Sequence, residues 1–164
     1  MTCILIVEDS AAMRSHLRAS LADLPGLGEG VEIIEAASGF EALRLLPRNR
    51  YDLVIADVNL PNIDGIELIR FVRQSAQNRD VGLIIVSNRS SVRDLERALA
   101  VGADAVLAKP FAIEVLRDAV SRVLSGERRV RRSDPGPPRP PGPSTAPPGP
   151  STVPPSPSSG PRNA

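Results

Sequence analysis

Residues Asp52–Gly65 read DLVIADVNLPNIDG. Leu53–Ala56 is an unbroken Leu, Val, Ile, Ala run closed by an acid, Asp57. Behind it Gly65–Gln74 carries Ile66, Leu68, Ile69 and Val72 at helical spacing. A strand without polar alternation is covered on both faces, which is the habit of parallel sheets with helical crossovers. The same unit recurs in both directions along the chain. The other strand-like runs are Thr2–Val7 (TCILIV), Val31–Ala36 (VEIIEA), Gly82–Val86 (GLIIV) and Ala105–Ala108 (AVLA).

The segments between them read as amphipathic helices. Ala11–Leu24 spaces Met13, Leu17, Leu21 and Leu24. Ser38 is an N-cap for a helix through Ala42, Leu43 and Leu46, with Glu41 completing a capping box and Pro47 stopping it. Ser91–Val101 carries Val92, Leu95 and Leu99 and closes at Gly102. Ala112–Leu124 carries Val115, Leu116, Ala119, Val120 and Val123 and ends at Gly126. Five β-α units in succession predict an α/β fold: a doubly wound, five-stranded parallel sheet flanked by five helices. Ligands of such sheets sit beyond the carboxyl ends of the strands, where strand order reverses.

Composition divides the 164 residues near position 126. Of 17 prolines, 13 lie in Asp134–Ala164, which has no aromatic residue. Such a stretch has too little apolar surface to offset the entropy of ordering it. The expected organisation is one globular domain over 1–126 and a basic, Pro-rich disordered tail or interdomain linker over 127–164. Charge splits at the same place. Residues 1–126 hold 14 Lys and Arg against 17 Asp and Glu; residues 127–164 hold six Arg against Glu127 and Asp134. An acidic domain is a poor general binder of nucleic acid. Cys3, the single cysteine, excludes an internal disulfide framework and a multi-thiolate zinc site. No apolar run reaches membrane-spanning length and the N-terminus does not read as a signal peptide, so a cytoplasmic protein without membrane insertion is expected.

The strand ends carry the chemistry. They are Glu8-Asp9 after the first run, Asp57 after the third, Ser87 after the fourth and Lys109-Pro110 after the fifth. One rim therefore collects three carboxylates, a hydroxyl and the chain's only lysine. Clustered carboxylates repel unless a cation or protons offset them. An all-oxygen set suits Mg2+ beside a phosphoryl group. An aspartate can act as nucleophile and hold an acyl phosphate, with a cation and Lys109 stabilising the charge. Taken alone, Asp57 could be a solvated strand-end acid, Ser87 a turn former, and Glu8 a favourable charge near a helix start. It is the combination that points to a site.

Ile4–Ser10 (ILIVEDS), the Asp52–Gly65 segment, Ser87 behind an apolar strand and Gly102–Phe111 (GADAVLAKPF) together resemble the receiver domain of bacterial two-component response regulators. The similarity covers about residues 2–125, and the small chemotaxis-type single receivers are near in length and motif order. The resemblance implies a phosphorylation-operated switch rather than an enzyme. Asp57 would be the phosphoacceptor. Asp9 and Asp57 would bind Mg2+ directly, Glu8 through a water, and the backbone carbonyl of Asn59 would add a ligand. Ser87 and Lys109 would contact the phosphoryl group, and Pro110 would hold the next turn with a cis bond. The donor would be a phosphohistidine of a sensor histidine kinase. The output would be a protein target bound on the face of the fourth helix, fifth strand and fifth helix, with no direct DNA binding within this chain, and the single-receiver pattern suggests chemosensory or motility control.

Departures from the family pattern single out further residues. Val106 stands where the family often has an aromatic ring that swings inward on activation. Asn88 stands where a small residue usually follows the hydroxyl. Asn59 and Arg89 would tune phosphoryl lifetime, with Asn88 and Val106 as further modulating positions. Two other readings stay open: a receiver-like scaffold acting without phosphorylation, and a Mg2+-dependent aspartyl-phosphate phosphatase. The second would want an acid at position 59 and a substrate cap. His16 and Cys3 read as a helix residue and a core residue. Gly26–Gly30 reads as a turn, and Arg128–Arg132 as a solvated helix exit.

Overall fold

The computed structural model describes residues 1–25, 27, 30–88 and 91–126. They form five strands and five helices in strict alternation: β1 (Thr2–Val7), α1 (Ala11–Ala22), β2 (Val31–Ala36), α2 (Gly39–Leu45), β3 (Leu53–Asp57), α3 (Gly65–Gln74), β4 (Gly82–Ser87), α4 (Val92–Val101), β5 (Ala105–Ala108) and α5 (Ile113–Leu124). One parallel sheet has the order β2-β1-β3-β4-β5. The order reverses between β1 and β3, the switch point where a ligand crevice opens.

The near-continuous apolar runs are explained by two cores, one on each sheet face. Leu5, Val7, Val54, Ala56, Leu83 and Ile85 meet α2 and α3 through Ala42, Leu46, Ile66, Ile69 and Val72. Ile4, Ile6, Leu53, Ile55, Ile84 and Val86 meet α1 and α5 through Leu17, Leu21, Leu116, Val120 and Val123. Strand residues alternate between these faces, and both faces are dry. Every residue of β3 and β4 is buried.

Both strands run one residue past their apolar runs, so Asp57 and Ser87 are themselves buried strand residues. Helix α1 stops at Ala22, and Leu24 is buried in the turn beyond it. The Ser38 cap forms, accepting from Glu41 N–H at 3.1 Å. The Glu41 carboxylate, however, accepts from Ala37 N–H at 2.7 Å, one residue upstream of the partner a capping box requires. Ser10 caps α1 by accepting from Met13 N–H.

Helical spacing overstated two faces. Val92 is 69% and Val115 49% exposed, and Ala98 is the one fully buried residue of α4. Cys3 is half-buried against the core rather than inside it, and His16 is an exposed residue of α1. Of the Gly26–Gly30 turn, residues 26, 28 and 29 lie outside the described residues, as does everything from Glu127 onward. No described helix is long and apolar enough to cross a membrane.

Gly65 opens α3 where no side chain fits. A Cβ there would lie 2.5 Å from Val58 Cα and 2.9 Å from its Cγ1. Val58 directly follows Asp57, so this close approach sets the path of the loop that returns from the rim. Gly65→Ala is expected to cost about 2 kcal/mol, because backbone must move to relieve the overlap. Urea unfolding reads this. A midpoint equal to wild type would show that the loop yields freely.

Candidate functional site

Register places the rim groups side by side. Val7 pairs with Ala56, Asp57 with Val86, and Ser87 with Ala108, so Glu8, Asp57, Ser87 and Lys109 come to one rim of the sheet. Backbone bonds continue past the strands and hold the ends fixed: Glu8 N–H to Ala36 O (3.1 Å), Val58 N–H to Val86 O (3.1 Å) and Lys109 N–H to Ser87 O (2.8 Å).

Lys109 is the hub of the crevice. Its Nζ donates to Glu8 Oε2 and Asp57 Oδ2, both at 2.8 Å. The second oxygen of each acid is held by backbone. Asp57 Oδ1 accepts from Asn59 N–H at 2.7 Å, and Glu8 Oε1 from Ser10 N–H at 3.1 Å. Glu8, Asp57 and Ser87 are buried, while Asp9 sits exposed at the mouth. One carboxylate oxygen from each of Glu8, Asp9 and Asp57 lies within 4.8 Å of the other two. The Lys109–Pro110 bond is cis.

Burial raises the pKa of Glu8 above the ordinary carboxylate value, although Lys109 and the Ser10 amide pull it down. Burial works against the charge of Lys109 too, yet hydrogen bonds and Coulomb attraction from Asp57 and Glu8 leave its pKa above the ordinary value. The ammonium is thus held charged, and among the described residues no second cation pairs with the three carboxylates.

This arrangement fits a hard divalent ion and a phosphoryl group. The donors are all oxygen, and the surplus of two negative charges matches a 2+ ion. Asn59 Nδ2 is buried without a hydrogen-bond partner. An orphaned donor beside an acidic cluster calls for an incoming oxygen acceptor.

These contacts bring together Glu8, Asp9, Asp57 and Lys109, with Asn59 joined through its backbone N–H and Ser87 buried at the end of the adjoining β4. Asn88 is exposed just past β4, and Arg89 lies outside the described residues. Val106 is half-buried and borders a cavity of about 60 Å³ under α4, together with Val58, Ile85, Ser87, Leu95 and Ala98. None of the described residues lining it is aromatic. One site residue escaped the strand-end reading: Arg14 of α1, whose Nη1 donates to the carbonyls of Glu8 (2.8 Å) and Asp9 (3.1 Å). It stands on a helix rather than at a strand end. Its partners are backbone carbonyls, which leave no mark in the residue types.

Residues 4–121 match the response regulator receiver domain family. The chain belongs to that family. It is 36% identical over 137 residues to response regulator MprA of a Mycobacterium species, covering 84% of this chain and 55% of the relative. It is 38% identical over 135 residues to the KDP operon transcriptional regulatory protein KdpE of Escherichia coli, covering 82% of this chain and 56% of that protein. This receiver chain spans about half the length of the curated relatives it matches. Among solved structures, the chemotaxis response regulator CheY4 of Vibrio cholerae superposes with a TM-score of 0.67 at 34% identity, covering 76% of this chain and 99% of that one. The receiver domain of a sensor histidine kinase from Pseudomonas aeruginosa, solved with magnesium coordinated in its active site cleft, gives 0.66 at 31% identity, covering 76% and 98%.

Proposed function

We propose that this receiver is a phosphorylation-operated switch in which Asp57 takes a phosphoryl group from a phosphohistidine of a sensor histidine kinase. One observation carries the reading: the Asp57 carboxylate is buried at the switch point, oriented by Lys109 and the Asn59 amide, beside Glu8 and Asp9. An Asp57 oxygen attacks phosphorus, the P–N bond to the imidazole breaks, and its electron pair stays with the departing ring. Hydrolysis of the resulting acyl phosphate resets the switch.

Mg2+, held by Asp9, Asp57, the Asn59 carbonyl and, through water, Glu8, would neutralise charge on the transferred group. Lys109 is placed to exchange its bond with Asp57 for one with a phosphoryl oxygen. Asn59 Nδ2 and the Ser87 hydroxyl supply further donors, and Pro110 shapes the turn behind Lys109. Asn59 and Arg89 tune the lifetime of the adduct. A dephosphorylation time course of Arg89→Ala tests the last of these; a rate equal to wild type removes it.

Residues 1–126 act as the receiver and 127–164 as a Pro-rich tail or linker. The output face is α4, β5 and α5, on which Val92 and Val115 are exposed apolar residues. The bound target is a protein, and the setting is cytoplasmic, with the kinase. The likeness to CheY4 supports chemosensory or motility control, while relatives named as transcriptional regulators support control of transcription by a longer assembly. The acidic balance of 1–126 supports neither DNA binding by the receiver itself nor a nucleic-acid substrate. Asn59, in place of a second acid, disfavours a phosphatase.

The test is incubation with Mg2+ and acetyl phosphate, followed by intact mass. One phosphoryl adduct, lost in EDTA, is expected. No adduct from acetyl phosphate or from a cognate kinase would leave the scaffold reading standing. Sustained turnover of phosphate esters would favour the phosphatase.

A further inference from the structure

We propose that Arg14 is a positioning residue that sets how tightly the acidic crevice holds a divalent cation. The inference rests on the reading of Glu8, Asp9 and Asp57 as a Mg2+ site. Arg14 lies in the first turns of α1 with its side chain 18% exposed. A single terminal nitrogen binds the carbonyls of both Glu8 and Asp9, drawing two successive peptide groups toward one point. The guanidinium is anchored from behind. Its Nε faces Glu35 Oε2 at 3.4 Å, and the other Glu35 oxygen accepts from Arg18 Nη1 at 3.0 Å. Glu35 belongs to β2 and pairs in register with Ile6 of β1. A strut therefore runs from the neighbouring strand, through α1, to the turn that carries both acids.

Electrostatics alone would not put a cation there. A positive charge near a helix N-terminus is disfavoured. One beside a cation site repels the ion as well. What the guanidinium supplies is geometry. Asp9 is exposed, so core packing does not orient its carboxylate, and the backbone carrying it has to be held from elsewhere. The planar fork of Arg can hold carbonyls on one side and a carboxylate on the other, which a Lys ammonium cannot.

The two effects of removing Arg14 have opposite signs. Loss of a repelling charge tightens Mg2+ binding; loss of a strut weakens it. The experiment is a Mg2+ titration read by backbone amide shifts, on wild type, Arg14→Ala, Arg14→Lys, Glu35→Ala and the Arg14→Ala/Glu35→Ala pair, with thermal unfolding in EDTA alongside. Arg14→Ala is expected to bind about tenfold more weakly. Glu35→Ala, which leaves the guanidinium present but unanchored, shifts affinity in the same direction, so the test survives if Arg14→Ala folds poorly. Arg14→Lys recovers only part of the loss. The double variant is no weaker than Arg14→Ala, because one strut cannot be cut twice. Unchanged or tighter binding in Arg14→Ala and Glu35→Ala overturns the inference, and so does a lower unfolding temperature at unaltered affinity. A wild type that shows no Mg2+-dependent shifts overturns the Mg2+ reading itself, and this is seen before any substitution is made.

Discussion

Asp57→Asn is expected to take up no phosphoryl group from acetyl phosphate or a kinase while keeping the wild-type fold. Asparagine has the size of aspartate, and its side-chain oxygen can still accept the 2.7 Å bond from Asn59 N–H. What it lacks is an anionic oxygen able to attack phosphorus. The fold survives for an electrostatic reason. Glu8 and Asp57 share the Lys109 ammonium and Asp9 lies in the same cluster, so neutralising one acid relieves repulsion and leaves Glu8 paired at 2.8 Å. A stability change within about 1 kcal/mol is expected, well below the cost of an unpaired buried charge. Mg2+ affinity should fall alongside, since one of the three anionic ligands is gone. Intact mass and urea unfolding on the same sample check both halves. An adduct on the variant would mean that another residue accepts the phosphoryl group. A collapse in stability would mean that the carboxylate is structural.

Much of this was legible in the residues because two-sided burial leaves a blunt signature. Leu53–Ala56 and Gly82–Val86 have no polar interruption, and β3 and β4 are buried throughout. The acids that close such strands were visible because charge stands out against an apolar run. Edges were less legible, for a physical reason. Asp57 and Ser87 are strand residues that hydropathy assigns outside the strand, yet both are buried, and the Asp57 carboxylate is satisfied by Lys109 and the Asn59 amide. The apolar spacing of α4 promised a packed stripe, yet Val92 stands in solvent and Ala98 alone is fully buried. A helix that lies against a sheet rim needs a narrower contact than one lying across its middle. Arg14 escaped because its partners are backbone carbonyls. A sequence shows side-chain chemistry directly, but carbonyls that converge on one guanidinium only through a turn cannot be read from residue types.

The Lys109 pairing carries the second large effect. Lys109→Met keeps the apolar stem and deletes the ammonium that binds Glu8 Oε2 and Asp57 Oδ2. Removing one partner of a buried ion pair strands the other, and about 3 kcal/mol of stability should be lost at pH 7 without Mg2+. The loss should depend on pH, with a definite sign. Burial already holds the pKa of Glu8 above its ordinary value of 4.5, and Lys109 pulls it down. Without Lys109 it rises further. A carboxyl with a raised folded pKa binds more protons folded than unfolded, so its contribution to stability falls as pH climbs from the unfolded value through the folded one. The variant's deficit is therefore greatest above the folded pKa of Glu8 and shrinks as pH drops toward 4.5. Lys109 acts at the other end of the scale. Its raised folded pKa means that its stabilisation is complete below 10.5 and is lost as pH rises through the folded value. Urea unfolding of both proteins at pH 5, 7 and 9 reads the difference, and a deficit that does not change between pH 7 and pH 5 would sink the argument. Mg2+ should narrow the gap at pH 7. A divalent ion that binds only the folded crevice restores the positive charge the ammonium supplied, and the variant, with no internal cation competing for Glu8 and Asp57, gains more from it than the wild type does.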